Sequence, residues 1–154
     1  MAITDRVNLA LKQAMKDKAP ERLSTLRLIN VAIKDKSLEM RGRGDASDVS
    51  DADILAILAK MTKQRQESAR VYEEGGRIDL AERERNEILI ISEFLPRQLD
   101  ESEIFSAIDN AISQVGAVSI RDMGRVMSML KANYAGQIDF GRVGPLLKDR
   151  LCKN

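Results

Sequence analysis

The chain has 154 residues, enough for one ordinary domain or two small ones. Hydrophobic residues make up 44% and aromatics only 3%, with no Trp, which argues against global disorder and for a core of Leu, Ile, Val, Ala and Met packed helix on helix. The formal net charge is +1, there is no His, and Cys152 is the single cysteine. The commonest general base and zinc ligand are therefore missing, and no disulfide can form within one chain.

No apolar run approaches the roughly 18 residues that span a bilayer, so no membrane is expected among the partners. The first fifteen residues alternate charged and apolar positions helically and lack the unbroken apolar stretch of a secretory signal, so a cytoplasmic location is expected.

Ile3, Val7, Ala10, Leu11, Ala14 and Met15 share one face of a helix over residues 3–17, with Thr4 or Asp5 near its start. Pro20 then suits the first turn of a second helix, followed by Glu21 where the dipole favours an acid. This helix is expected to run to about Met40, with Leu23, Leu26, Ile29 and Ile33 as its stripe. Leu28, Val31 and Ala32 widen that stripe, predicting that more than one face is buried. Arg27, Lys34 and Arg41 recur every seven residues and form one basic row along the helix. The run from Arg41 to Ser50 is rich in Gly, Ser and Asp and reads as a loop.

A third helix starts at Ser50 or Asp51 and stops at Gly75-Gly76, which fits a left-handed C-cap. A fourth is expected from about Ile78 to Leu95, charged and exposed in its first half, apolar and buried in its second. Pro96 cannot continue it. Asp100 and Glu103 have the spacing of a capping box opening the next helix, so a domain joint is placed between residues 1–96 and 97–154.

Three segments follow. Asp100 to Val115 carries a helical apolar pattern and ends at Gly116; Ser119 to Tyr134 opens with a second capping box, Ser-Ile-Arg-Asp. The last, Asp139 to Leu151, contains Gly141, Gly144 and Pro145, so its firm helix is expected to start near Pro145, preceded by one turn capped by Asp139. The expected fold is all-α: an N-terminal domain of four long helices, then a small three-helix tail domain.

Charge is unevenly spread. Residues 1–43 hold ten Lys/Arg against five Asp/Glu, and residues 119–154 hold seven against three. Arg27, Lys34 and Arg41 in the first region, and Arg121, Arg125, Lys131 and Arg142 in the second, are the candidate polyanion-binding residues. The sequence has no Gly-rich phosphate loop and no nucleophile–His pair. Glu73, Glu74, Glu82, Glu84 and Glu87 interleave with Arg77, Arg83 and Arg85 and read as a solvated charged face. No catalytic residue, cofactor-binding residue or metal ligand is expected.

Several motifs occur in order along the chain. They are Glu21-Arg22-Leu23-Ser24-Thr25-Leu26-Arg27, Lys63-Gln64-Arg65, Tyr72 with Gly75-Gly76-Arg77 and Asp79-Leu80, and Glu87. Phe94-Leu95-Pro96-Arg97-Gln98-Leu99 and Asp122-Met123-Gly124-Arg125-Val126-Met127 complete the set. In this the chain resembles the GatB/YqeY family over essentially its whole length. The resemblance implies a relationship to the C-terminal helical and tail domains of the GatB component of the glutamyl/aspartyl-tRNA amidotransferase, a carbon–nitrogen ligase with glutamine as amido-N-donor. It implies that the tail domain touches tRNA, while the transamidation chemistry belongs to a domain absent from this sequence. Where the family often has a basic turn after the Asp-Met-Gly helix, this chain has Ala135-Gly136-Gln137, which removes the implied contact there and leaves Arg125 and Arg142. The expected partners are tRNA or a protein of the tRNA-handling machinery, and the expected role is non-catalytic.

Overall fold

A computed structural model describes residues 2–152. Among them are seven α-helices, one short 3-10 turn and no strand. The chain divides into two compact units, one ending at Pro96 and the other beginning at Arg97.

The first unit contains α1 (Ile3–Lys16), α2 (Pro20–Gly42), α3 (Asp51–Glu74) and α4 (Ile78–Ser92). Its core is built from Val7, Leu26, Ile29, Ile54, Leu58 and Ile91, all fully buried. α3 and α4 form the most extensive helix pair of the unit, and α1 packs along α2. α3 starts as its sequence requires: the Ser50 hydroxyl accepts from the Asp53 amide, and the Asp53 carboxylate accepts from the Ser50 amide. α1 has no cap of its own. The carboxylate of Asp51, at the start of α3, accepts from the Ile3 amide at 3.4 Å and satisfies one of the donors that a helix start leaves open.

α3 ends at the expected Gly75-Gly76 pair, with Gly76 left-handed (φ +79°) and Gly75 at φ −82°. The expectations for α4 are corrected. α4 ends at Ser92, short of Leu95, and its burial does not divide into halves: Ala81 in the charged half is fully buried, whereas Leu89 in the apolar half is 67% exposed. The reason is period. α4 faces its neighbours with one side throughout, and Ala81 and Ile91 lie on that side. After Ser92 the chain turns, Phe94 is buried in the core, and Leu95 packs against it. Arg6 fixes this end by donating to the Glu93 carbonyl at 2.8 Å and lying over the Phe94 ring at 5.6 Å. Arg22 pairs with the Glu93 carboxylate. Both place positive charge where the open carbonyls of a helix end favour it.

The second unit contains α5 (Glu101–Val115), the 3-10 turn Ile120–Asp122, α6 (Met123–Tyr134) and α7 (Phe140–Cys152). Ile108, Val126, Leu130, Val143 and Leu147 are fully buried in its core, with Leu99, Met123, Met127 and Met129 packed around them. Asp100 caps α5 by accepting from the Glu103 amide at 2.8 Å, and Gly116 (φ +66°) ends it. The segment expected to be helical from Ser119 begins as a 3-10 turn instead. There the Asp122 carboxylate accepts from the Val118 and Ser119 amides.

α7 departs most from expectation. It is continuous from Phe140, with Pro145 inside it. Pro normally disfavours helical backbone in the residue before it through that residue's Cβ; here that residue is Gly144, which has none. Asp139 anchors the first turn by accepting from the Gly141 amide with its carboxylate and from the Arg142 amide with its carbonyl, each at 3.0 Å. The burial of Val143 then holds that turn to the core.

Candidate nucleic-acid interface

Two helix faces carry the candidate residues. On α2, Thr25, Leu26, Ile29, Ile33 and Met40 point into the core, and Arg27, Lys34 and Arg41 are exposed on another side of the helix. No ion pair or side-chain hydrogen bond engages these three among the described residues. Other arginines of the unit, Arg22, Arg43, Arg65, Arg70, Arg77 and Arg85, each reach a carboxylate. Those pairs also account for Glu73, Glu74 and Glu87, read from sequence as a solvated charged face.

The expectation that Leu28, Val31 and Ala32 extend the buried side of α2 holds at Ala32, which packs against the core, and fails at Leu28 and Val31. Leu28 is 44% exposed, Val31 52% and Leu38 64%, and they lie beside the basic row. Sequence reasoning missed this because a Leu or Val at a helical period indicates a stripe without saying whether another helix covers it.

The second face belongs to the 3-10 turn and α6. Val126 and Leu130 are buried; Arg121, Gly124, Arg125, Ser128 and Lys131 are exposed opposite them. Arg121 and Arg125 share one side, and Lys131 lies on the adjoining side beside Ser128. Arg125 reaches Asp122 at 2.7 Å but stays 61% exposed. Backbone amides, Val118 first, and Arg125 hold the Asp122 carboxyl below its ordinary range, so it stays ionised. Within α6 no large apolar side chain is exposed; Val118 and Ile120, just before it, are. Arg142 is exposed in the first turn of α7. The structure therefore groups three candidates on α2 and three on α6 with its leading turn, in different units, and leaves Arg142 on a separate helix.

The uncharged turn Ala135-Gly136-Gln137 has a structural role. The Gly136 carbonyl accepts from Gln98 Nε2 at 2.5 Å, the Gln137 carbonyl accepts from the Leu99 amide at 3.0 Å, and Gln137 Nε2 donates to the Arg97 carbonyl at 3.2 Å. The turn ties down the stretch that leads into α5.

Residues distant in sequence also converge on a polar cleft of about 340 Å³ between the start of α2 and α4, lined by Glu21, Ser24, Thr25, Arg83, Asn86 and Glu87. Arg65 Nε donates to Glu87 at 2.8 Å, and its Nη1 donates to the Met61 carbonyl at 3.1 Å. Burial, with the neighbouring charge of Glu87, pushes the Glu84 carboxyl up. Among the described residues, no three Cys, Asp or Glu side chains are grouped to hold a metal ion, and no helix is long and apolar enough to cross a membrane.

The fold and faces describe an all-α protein that offers exposed cationic helix surfaces. The match to the YqeY-like protein family covers residues 4–151, and the chain belongs to that family. It is 30% identical over 107 residues to the altered inheritance of mitochondria protein 41, mitochondrial, of Lachancea thermotolerans, a match covering 68% of this chain and 55% of that protein. It is 28% identical over 86 residues to the uncharacterized protein C22F3.15 of Schizosaccharomyces pombe, covering 56% of this chain and 66% of that protein. The chain thus spans less than two thirds of either relative's length.

Proposed function

We propose that this protein is a non-catalytic, tRNA-associated helical module. The observation that carries the reading is the outer face of α6 and its leading turn, where Arg121, Arg125 and Lys131 surround Gly124 and Ser128. Small residues let a phosphate backbone approach closely, and long cations reach its oxygens. Such a face neutralises phosphates with little base readout, so affinity falls with salt at a log–log slope of about −0.9 per duplex phosphate neutralised. The relationship to the amidotransferase tail domain supports the same assignment, with this chain accessory to carbon–nitrogen ligase chemistry performed elsewhere. The reading needs a compartment that holds tRNA. The cytoplasm is the expected one, and the mitochondrion in the Lachancea relative's name is another. Electrophoretic titration against total tRNA at two salt concentrations tests it; no binding at low salt ends it.

The second reading, a helical protein-interaction adaptor, is favoured by Leu28, Val31 and Leu38, which phosphates do not require. A protein partner that survives nuclease treatment supports it.

A further inference from the structure

We propose that the outer face of α2 is the seat of an acidic amphipathic helix from a partner protein, docked as one strand of a short two-stranded coiled coil. The inference rests on the adaptor reading and is independent of the RNA reading of α6.

The exposed positions of α2 fall on a heptad. Ser24, Leu28, Val31, Asp35, Leu38 and Gly42 occupy the two seam positions in turn, spaced four and three apart; Leu28, Val31, Leu38 and Gly42 are exposed, and Ser24 and Asp35 take the polar places between them. Arg27, Lys34 and Arg41 all fall on one flank of that seam. The opposite flank holds Thr25, Ala32 and Glu39, which are buried, half-buried and exposed in turn. From Ser24 to Gly42 the seam runs about 27 Å, five turns of helix. Isolated apolar residues on a surface need no explanation. Three on one line, beside three cations that pair with no carboxylate among the described residues, match the seam and flank of a coiled coil.

The charges choose the occupant. Flank cations in a coiled coil meet the flank of the facing helix, so the partner should carry Asp or Glu every seven residues beside its own apolar stripe. A second copy of this chain fits poorly. In an antiparallel pair of α2 helices the two basic rows face each other. In a parallel pair only Glu39 stands opposite, and it already reaches Arg43 at 3.3 Å. RNA fits poorly as well, because Leu38 lies between Lys34 and Arg41 along the helix and gives a phosphate nothing to bind.

The test uses the full chain and two labelled synthetic 21-residue helices, about six turns each, with Leu at both seam positions, one flanked by Glu and one by Lys. Like charges on its flanks keep each peptide from pairing with itself. Fluorescence anisotropy should show the Glu-flanked peptide binding at least tenfold tighter than the Lys-flanked one. Arg27→Glu/Lys34→Glu/Arg41→Glu should reverse that preference. Leu38→Asp, with the basic row intact, should weaken the Glu-flanked peptide at least tenfold and leave total-tRNA binding within twofold. All four changed side chains are exposed, and circular dichroism confirms folding.

Equal peptide binding by wild type and Leu38→Asp reduces the contact to charge alone and overturns the proposal. Loss of tRNA binding in Leu38→Asp makes the face an RNA surface and overturns it, as does wild-type self-association abolished by the same change. A nuclease-resistant protein partner that binds wild type and Leu38→Asp alike overturns the seat but leaves the adaptor reading standing. The absence of any such partner removes both.

Discussion

The outer faces of α2 and α6 are both basic helix surfaces backed by a core, yet they differ in what lies between the cations. On α2 the spaces are filled by Leu28, Val31 and Leu38; on α6 they are filled by Gly124 and Ser128. Charge alone makes the two look interchangeable. The residues between the charges decide which kind of partner gains from approaching: apolar side chains reward a surface that excludes water, and small residues let a highly charged backbone come close. Among the described residues Arg27, Lys34 and Arg41 on α2 make no ion pair, whereas Arg125 on α6 is held by Asp122. A residue count misses both distinctions.

The largest effect comes from removing what supports each face. Ile29→Ala behind the α2 face and Leu130→Ala behind the α6 face each empty a fully buried site and should cost about 2–5 kcal/mol. Denaturant titration checks this. A loss below about 1 kcal/mol would mean that the core closes over the gap.

Next is the ion pair between α3 and α4. Arg65 is 14% exposed and Glu87 27%, so Glu87→Ala leaves a mostly buried guanidinium with the Met61 carbonyl as its remaining partner. The expected cost is about 1–3 kcal/mol. It should fall on the first unit and spare the tRNA binding proposed for α6, which separates stability from recognition.

The comparison is sharpened most directly by charge. Arg121→Gln/Arg125→Gln/Lys131→Gln should lower the salt slope of the proposed tRNA binding by about 0.9 for each phosphate no longer neutralised. The corresponding change at Arg27, Lys34 and Arg41 should leave the slope unchanged. Equal effects from the two sets would erase the distinction between the faces.

A smaller effect depends on pH and belongs to the second unit. The Arg97 guanidinium, at 2.6 Å, and the Asp100 amide hold the Glu103 carboxyl at about 2, well below its ordinary 4.5. A depressed carboxyl contributes stability that is fully present above its unfolded value and lost as pH falls through the folded one. The stability of this unit should therefore decline between about pH 4.5 and 2, and Glu103→Gln should flatten that part of the profile. NMR titration of the Glu103 carboxyl gives the midpoint; a value near 4.5 would remove the effect.

The smallest effect is the most telling. Leu38→Ala should change stability by no more than about 0.5 kcal/mol, although Ile29→Ala on the same helix costs several times that. A destabilisation above about 1 kcal/mol would mean that Leu38 is covered in the folded chain.

Local rules made much of this legible. The capping box at Asp100/Glu103 forms because short side chains satisfy amides of the turn they open, a matter of three residues. The basic row on α2 follows from seven-residue spacing alone. The polar cleft was not legible, because Glu21 and Thr25 meet Arg83 and Glu87 only once α2 and α4 have packed. Nor was the cap on α1, which is supplied by Asp51, 48 residues away.

The sequence by itself determined that the chain is helical, where most helices start and stop, and which side chains share a side of each helix. These depend on dihedral preference, periodicity and hydrogen bonds within one turn. Only the tertiary structure decided which side is covered. α2 has apolar residues on two sides, and the packing of α1, α3 and α4 buries Ile29 and Ile33 while leaving Leu28, Val31 and Leu38 in water. The same holds at Pro145: local preference starts a helix there, and burial of Val143 with a Cβ-free Gly144 draws the helix back to Phe140. Burial is a property of neighbours, and the neighbours of a helix face lie dozens of residues away along the chain.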